Sequence, residues 1–525
     1  MTRNGRKKLT TVLYIVLIAV LLVGCSDGAR GTTNLEPKPA EQDNNQSTNN
    51  ESNPNDNNID GQANGELNTE PVVEEQPKFV SPYNFEYPDA VRGIYVTSHV
   101  AGGSRFNDVL ELVNTTDLNA MVIDIKDDHG YITFPLDESS PYKEYSKRNI
   151  ADIQALMKTL EENKVYPIAR IVVFKDTVAA NLKPEWSFLD NGQVWQNNRK
   201  ESFINPFLKE VWEYNVEVAK LAAEVGFKEI QFDYVRFPEG FEKRDDTLKY
   251  SLGDYEGKKP TKLYELEAAY KTDIVVYEQN MSELVKKRDA KQAEVNAKEN
   301  AVANQATDSS ATTNQATVDN TQTEQLKTLK QELADIDKQI KELEKKQPVE
   351  PNYDAKETAV QLRVDSITDF VAYAKEELKG YDVDVSVDIF GYTATIPEAP
   401  GIGQNFSKIS NNVDVICSMI YPSHWGFNYF GIPKPDLEPY RLVKEYMIKE
   451  SAVLNGLENP PVSRPWIQDF TAPWLKAGNY KQYGKQDVED QIKALNEAGV
   501  WEFLIWNAGN KYTPGVNYLP IGARQ

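Results

Sequence analysis

The sequence predicts an α/β fold, a (β/α)8 TIM barrel with an antiparallel coiled-coil hairpin inserted after its fourth strand. Three observations predict it. Eight short apolar runs of strand length recur through residues 80–257 and 353–525. Amphipathic stretches separate most of these runs, and such alternation builds a parallel sheet with helices outside it. A single break in composition, over residues 258–352, interrupts the pattern between the fourth and fifth runs.

In chain order, residues 1–25 read as a targeting segment. Arg3, Arg6, Lys7 and Lys8 precede an apolar run from Leu9 to Val23 that ends in "LVGC", the cleavage and lipidation pattern of a bacterial lipoprotein. The run is shorter than the ~20 residues a spanning helix needs, so lipid on Cys25 is the expected anchor to the extracytoplasmic face of the membrane. Residues 26–79 are rich in Asn, Glu, Asp, Gln and Pro with almost no large apolar side chain. That composition cannot support a core and reads as a disordered tether. Removing residues 1–24 takes away four positive charges and no acidic ones, so the formal charge moves from −22 to −26. A chain this acidic repels phosphate backbones, which excludes nucleic acid as a partner.

The first half of the barrel, 80–257, carries "VRGIYVT" from Val91, "AMVIDIK" from Ala120, "YPIARIVVF" from Tyr166 and "EIQFDYVRF" from Glu229. The second half, 353–525, carries "DVSVDIFG" from Asp384, "DVICSMIY" from Asp414, "RPWIQDF" from Arg464 and "WEFLIWNA" from Trp501. Helical candidates include "NIADIQALMKTLEENK", "FLKEVWEYNVEVAKLAAEVGF", "AVQLRVDSITDFVAYAKEEL" and "DVEDQIKALNEAG". The connection after Gly391 is poor in helical signal, and no clear helix follows the eighth run. Within 258–352, Leu326, Leu329, Leu333, Ile336, Ile340 and Leu343 alternate three- and four-residue steps. Tyr270, Ile274, Tyr277, Met281 and Leu284 keep the same rhythm in an earlier arm. This is the spacing of a coiled-coil seam, and a polar tip between the arms makes the segment a hairpin. It reads equally as an arm for a protein partner or as a tolerated insertion.

In a barrel of this kind the working side chains stand at the carboxyl ends of the strands. With the apolar faces turned to the helices, the inward positions are Val122, Asp124 and Lys126, then Ile168, Arg170 and Val172. Gln231 and Asp233, Ser386 and Asp388, and Ile467 and Asp469 follow on later strands. A buried carboxylate costs several kcal/mol unless it is paired, so four aspartates gathered at equivalent depth call for a chemical reason. Glycoside cleavage supplies one, because it needs one ionised and one protonated carboxyl group. Lys126, Arg170 and Arg236 are candidates to separate the two by pairing with some acids and not others. Tyr392, Tyr421, Trp425, Trp474 and Trp506 fall at or after strand ends, where sugar rings stack on aromatic faces, and "YPSHW" puts His424 at the cleft mouth. The three histidines, His99, His129 and His424, have no metal-site spacing, so no metal or cofactor is expected. Cys417 lies in an apolar strand and reads as core.

The blocks "RGIYVTS", "VIDIKDDHG", "PIARIVVFKD", "FDYVRFP", "SVDIFGY", "MIYPSHW" and "WIQDF" together resemble the putative glycosyl hydrolase domain family of bacterial secreted proteins and lipoproteins. The resemblance covers both barrel segments and leaves out the tether and the hairpin. It implies a barrel acting on a cell-surface or extracellular polysaccharide. The order of acids is also similar to the alpha-amylase arrangement, which implies Asp233 as nucleophile, Asp388 as general acid/base and Asp469 as transition-state stabiliser. Gln231 stands where that arrangement has Arg, and Asp388 replaces its Glu. The alternative is a glycan-binding or scaffolding lipoprotein whose cleft holds sugar without cutting it.

Overall fold

The computed structural model describes residues 79–308 and 320–522. The segment expected to be a lipidated leader and tether, Cys25 included, and the tip of the hairpin lie outside the described residues. Eight parallel strands form the barrel wall: β1 Arg92–Val96, β2 Ala120–Lys126, β3 Tyr166–Val172, β4 Glu229–Asp233, β5 Asp384–Phe390, β6 Val415–Met419, β7 Trp466–Gln468 and β8 Phe503–Trp506. Each pairs with the next, and β8 returns to β1 through Arg92 with Phe503 and Ile94 with Ile505, closing the sheet. Closure leaves no free edge. The β6–β7 seam is the thinnest, with Met419 opposite Trp466. Val462–Ser463 pairs with the start of β6, and Pro465, which has no N–H to give the ladder, separates that short piece from β7.

Around the wall lie α1 Phe106–Asn114, α2 Ile153–Glu162, α3 Lys209–Glu224, α4 Thr261–Asp308, α5 Asn320–Glu344, α6 Ala355–Glu377, α7 Phe406–Ser410, α8 Pro439–Leu454 and α9 Lys485–Glu497. In α2 the side chain of Asp152 accepts from Ala155 N, and the helix buries Ile153, Leu156, Met157 and Leu160, a stripe at helical spacing. A capping box of Asp354 and Glu357 starts α6, satisfying N–H groups that the first turn leaves open. The weak helical signal after Gly391 corresponds to α7, a helix of five residues. Among the described residues no helix follows β8, and no helix is long and apolar enough to cross a membrane.

Two apolar cores result from the period-two alternation of the strands. Ile94, Ile123, Ile171, Phe232, Val387 and Ile505 face the helix layer, while Tyr95, Val122, Ile168, Cys417, Trp466 and Leu504 fill the barrel. The amino-terminal end of the barrel is plugged by Arg464, whose Nη1 lies 2.7 and 2.6 Å from the two carboxylate oxygens of the buried Glu229. Its Nε adds Glu502 at 2.8 Å. Charges this deep persist only when paired, and they leave the opposite end free for a cleft.

The inserted segment is an antiparallel pair of helices. Lys330 meets Glu299 at 2.7 Å and Lys291 meets Glu332 at 3.0 Å across the pair. On α5 the less exposed positions are Leu326, Leu329, Leu333, Ile336, Ile340 and Leu343, with the residues between them mostly turned to solvent. The pair is pinned to the barrel at its base: Thr261 N donates to Asp365 on α6 at 2.7 Å, and Lys408 on α7 meets Glu265 at 3.2 Å.

Candidate active site

Uninterrupted alternation delivers Asp124, Arg170, Asp233 and Asp388 to the interior wall near the carboxyl ends of β2, β3, β4 and β5. Arg170, 1% exposed, holds this group together. Its Nη1 donates to Asp124 Oδ1 at 2.6 Å. Its Nη2 and Nε both donate to Asp233 Oδ2, at 2.6 and 3.0 Å, and Nη2 also reaches Asp128 Oδ1 at 3.3 Å. Only the planar guanidinium fork fits that many fixed acceptors. Tyr95 donates its hydroxyl to the other oxygen of Asp124 at 2.6 Å.

Three of these carboxyl groups, Asp124, Asp128 and Asp388, differ in their electrostatics. Burial pushes Asp124 up to about 6 against the pull of Arg170. Burial would also raise Asp128, but Arg170 and Lys175, the latter at 2.8 Å, hold it below the usual carboxylate range. Asp388 is 2% exposed and is pushed well above the ordinary range, first by burial and then by the negative charge of Asp233. Among the described residues its carboxyl group accepts one hydrogen bond, from Trp466 Nε1 to Oδ1 at 2.7 Å. Asp388 directly follows Val387, the register partner of Phe232, so it stands beside Asp233 on neighbouring strands ~4.8 Å apart.

The chain turns sharply where β4 ends. Tyr234 has φ +53°, a left-handed conformation that an aromatic residue adopts only when its surroundings impose it. Its N–H donates to Asp233 Oδ1 at 2.6 Å, so the turn fixes the carboxylate. Arg236 then lies with its guanidinium 4.8 Å from both the Tyr234 and the Phe390 ring centres and 3.2 Å from Glu239.

These groups open into a cavity of about 670 Å3. Of the expected site residues, Arg170, Asp233, Arg236 and Asp388 line it, as do the rings of Tyr392, Tyr421, His424, Trp425 and Trp506. Trp506 stacks on Tyr95 at 4.1 Å and meets Trp466 edge-on at 5.5 Å, forming an aromatic floor. Burial keeps the Tyr421 phenol protonated and lowers the proton affinity of His424. Trp425 is 8% exposed and is wedged among Tyr429, Phe430 and Tyr446. Its buried Nε1 has no hydrogen-bond partner among the described residues. A Cβ on Gly391 would lie 3.1 Å from Trp425 Cζ2 and 2.8 Å from the Met419 carbonyl, so the absence of a side chain there keeps the wall open.

Four expected site residues are placed elsewhere. Lys126 follows a register shift in β2; one extra residue reverses the side to which the next side chain points. Its ammonium is buried outside the barrel, 2.7 Å from Asp176 and 2.9 Å from Asn215 on α3. Asp469 lies just past β7, whose phase is one residue from the expected one: Ile467 packs in the outer core and Trp466 in the inner one. Its carboxylate accepts from Thr513 N at 2.8 Å and Thr513 Oγ1 at 2.5 Å, which ties down the loop after β8. Trp474 lies outside the cavity, 59% exposed. Asp124 does not line the cavity but acts on it through Arg170. The cavity also contains residues the sequence reading did not select, among them Asp128, Arg199, Tyr234, Glu239 and Trp466. Asp128 stands in "KDDHG" as a second acid past the end of a strand; the expected strand alternation sets Tyr234 and Trp466 on the opposite face, and Arg199 and Glu239 lie in loops without a periodic signal. Among the described residues no group of acids, histidines and cysteines is arranged to hold a metal ion.

Comparison with known proteins gives a family and a set of similar structures. A family model described as "Putative glycosyl hydrolase domain" matches residues 93–512. A hypothetical protein from Ruminiclostridium thermocellum ATCC 27405 is 34% identical over 32% of this chain and 84% of its own, with a TM-score of 0.28. The PgaB (BpsB) glycoside hydrolase domain from Bordetella bronchiseptica is 12% identical over 80% of this chain and 94% of its own, with a TM-score of 0.45. A chitinase from Chromobacterium violaceum ATCC 12472 is 9% identical over 82% and 98%, with a TM-score of 0.37. No curated protein matches the chain.

Proposed function

This chain belongs to the family described as "Putative glycosyl hydrolase domain", and on that premise we propose that it hydrolyses a cell-surface or extracellular polysaccharide with Asp233 and Asp388 as the working carboxyl pair. The observation that carries this reading is the contrast between two neighbours: Asp233 is an ion-paired carboxylate on Arg170, while burial and Asp233 itself favour the protonated form of Asp388. Glycoside cleavage requires that division of roles.

Asp388 gives its proton to the glycosidic oxygen as the bond to the anomeric carbon breaks, and Asp233 Oδ1, which accepts one hydrogen bond from Tyr234 N, attacks that carbon. Arg170 and the Tyr234 turn fix the attacking carboxylate, which lowers the entropic cost of reaching the transition state. In the second step Asp388, now a carboxylate, takes a proton from water while the oxygen of that water displaces Asp233. Neighbouring strands favour a carboxyl separation near the ~5 Å of retaining enzymes over the wider gap of inverting ones. The expected product therefore keeps the anomeric configuration of the substrate.

A second reading is a cleft that binds glycan without cutting it. It draws on the occupation of both Asp233 oxygens by Arg170 and Tyr234. One experiment separates the two: purified protein and its Asp233→Asn variant are incubated with a panel of polysaccharides and activated aryl glycosides, and the first product is followed by NMR. Turnover by the wild type that falls by orders of magnitude in the variant supports hydrolysis; binding with no turnover in either supports the second reading. We further propose that the protein sits on the extracytoplasmic face of the membrane through lipid on Cys25 and that the helical hairpin is available to a protein partner.

A further inference from the structure

We propose that Trp474 and Phe470 form an outer sugar-binding subsite, so that the protein takes a chain of equatorially linked pyranose units rather than a single terminal sugar. The proposal rests on the reading of the cavity as a glycan cleft. Trp474 lies in a short turn, Pro473–Leu475, and is 59% exposed. Single exposed apolar residues are ordinary on protein surfaces, but this ring is continuous with the cavity. It stacks on Phe470 at 6.0 Å with an interplanar angle of 25°. Phe470 in turn meets Tyr421 edge-on at 5.8 Å and lies 6.4 Å from His424, and both of those rings line the cavity. Tyr421 stands 6.4 Å from Trp506 on the floor. An aromatic strip therefore runs from the ring beside the Asp388 donor, Trp466, out to solvent.

The strip is also held in place. Lys434 Nζ donates to the Gly478 carbonyl at 2.6 Å, Tyr483 N to Thr471 Oγ1 at 3.1 Å, and Asn479 Nδ2 to the Leu475 carbonyl at 2.9 Å. These bonds brace the loop on both sides of Trp474, so little ordering is left for a ligand to impose. The free face of a flat indole suits a ligand with an apolar face and a polar edge. A pyranose with equatorial substituents is such a ligand: its axial C–H bonds lie against the ring, and its hydroxyls stay in water.

The test measures affinity, so it does not depend on turnover. Calorimetric titration of the full chain with chitohexaose, cellohexaose and the matching disaccharides is compared for wild type, Trp474→Ala and Trp474→Phe. The wild type is expected to bind at least one hexasaccharide about tenfold more tightly than its disaccharide, the size of one ring-stacking contact. Trp474→Ala should erase that preference and Trp474→Phe should restore most of it. Repeating the titration with Asp388→Asn should leave the length preference in place even where hydrolysis is absent, so failure of the hydrolase reading leaves the subsite standing. Equal length preference in wild type and Trp474→Ala, or no preference in the wild type for either series, overturns the proposal.

Discussion

Replacing Asp388 with Asn removes a carboxyl group whose proton affinity is raised by burial and by the neighbouring Asp233, and two consequences follow. The amide oxygen of Asn can still accept from Trp466 Nε1, which lies 2.7 Å from Asp388 Oδ1, so the fold should persist. A general acid contributes ~10²–10⁴-fold to rate; turnover of a natural oligosaccharide should fall by that factor. An aryl glycoside with a good leaving group needs little protonation and should lose much less. Stability responds as well. Because the folded-state affinity of Asp388 for its proton is raised, the native chain binds one proton more than the unfolded chain as pH rises above the ordinary carboxyl range. Wild-type stability is therefore lost with rising pH, at up to ~1.4 kcal/mol per pH unit, until Asp388 ionises in the folded state. Asn does not titrate, so the variant should gain on the wild type over that window by the same slope. Urea unfolding at a series of pH values from 4 to 8, with rates on both substrate types, makes the measurement. Parallel stability curves together with undiminished oligosaccharide turnover would refute the reasoning.

Other predictions concern the supports of the site and the ends of the chain. Arg170→Met should destabilise the protein by ~3–5 kcal/mol, because the variant leaves Asp124 and Asp233 buried without their cation; a denaturant midpoint within error of the wild type, at an unchanged slope, would contradict this. Deleting residues 263–350 behind a short Gly/Ser bridge should leave a cooperative melting transition, since the buried apolar residues of the insertion, Val295 on α4 and Ile340 on α5, lie within the deleted helices; a broad, non-cooperative melt would show that the barrel depends on the insertion. Cys25→Ser should release the protein from the membrane fraction, and retention of that variant after a salt wash would require another anchor.

Where a strand keeps its period of two without interruption, the sequence is sufficient to place its side chains. Asp124, Arg170, Asp233 and Asp388 could be set on the interior wall because Ile123, Ile171, Phe232 and Val387 mark the opposite face. Apolar positions at helical spacing likewise mark the inserted segment as helical. Local pattern failed where the backbone departs from regularity. The register shift in β2 sends Lys126 outward to Asp176, and Pro465 with the short seventh strand hides the phase that turns Trp466 inward and Asp469 toward Thr513.

The sequence by itself thus determined the barrel, the insertion point of the hairpin and the strand ends that deliver the acids, because each is set by periodicity within a short segment. Only the tertiary structure decided that one guanidinium serves three carboxylates, that Asp388 stands against Asp233, and that Trp474 continues an aromatic strip out of the cavity. Those facts depend on distances between residues far apart in the chain, and the charge state of a carboxyl group follows its burial and its neighbours, neither of which is encoded locally.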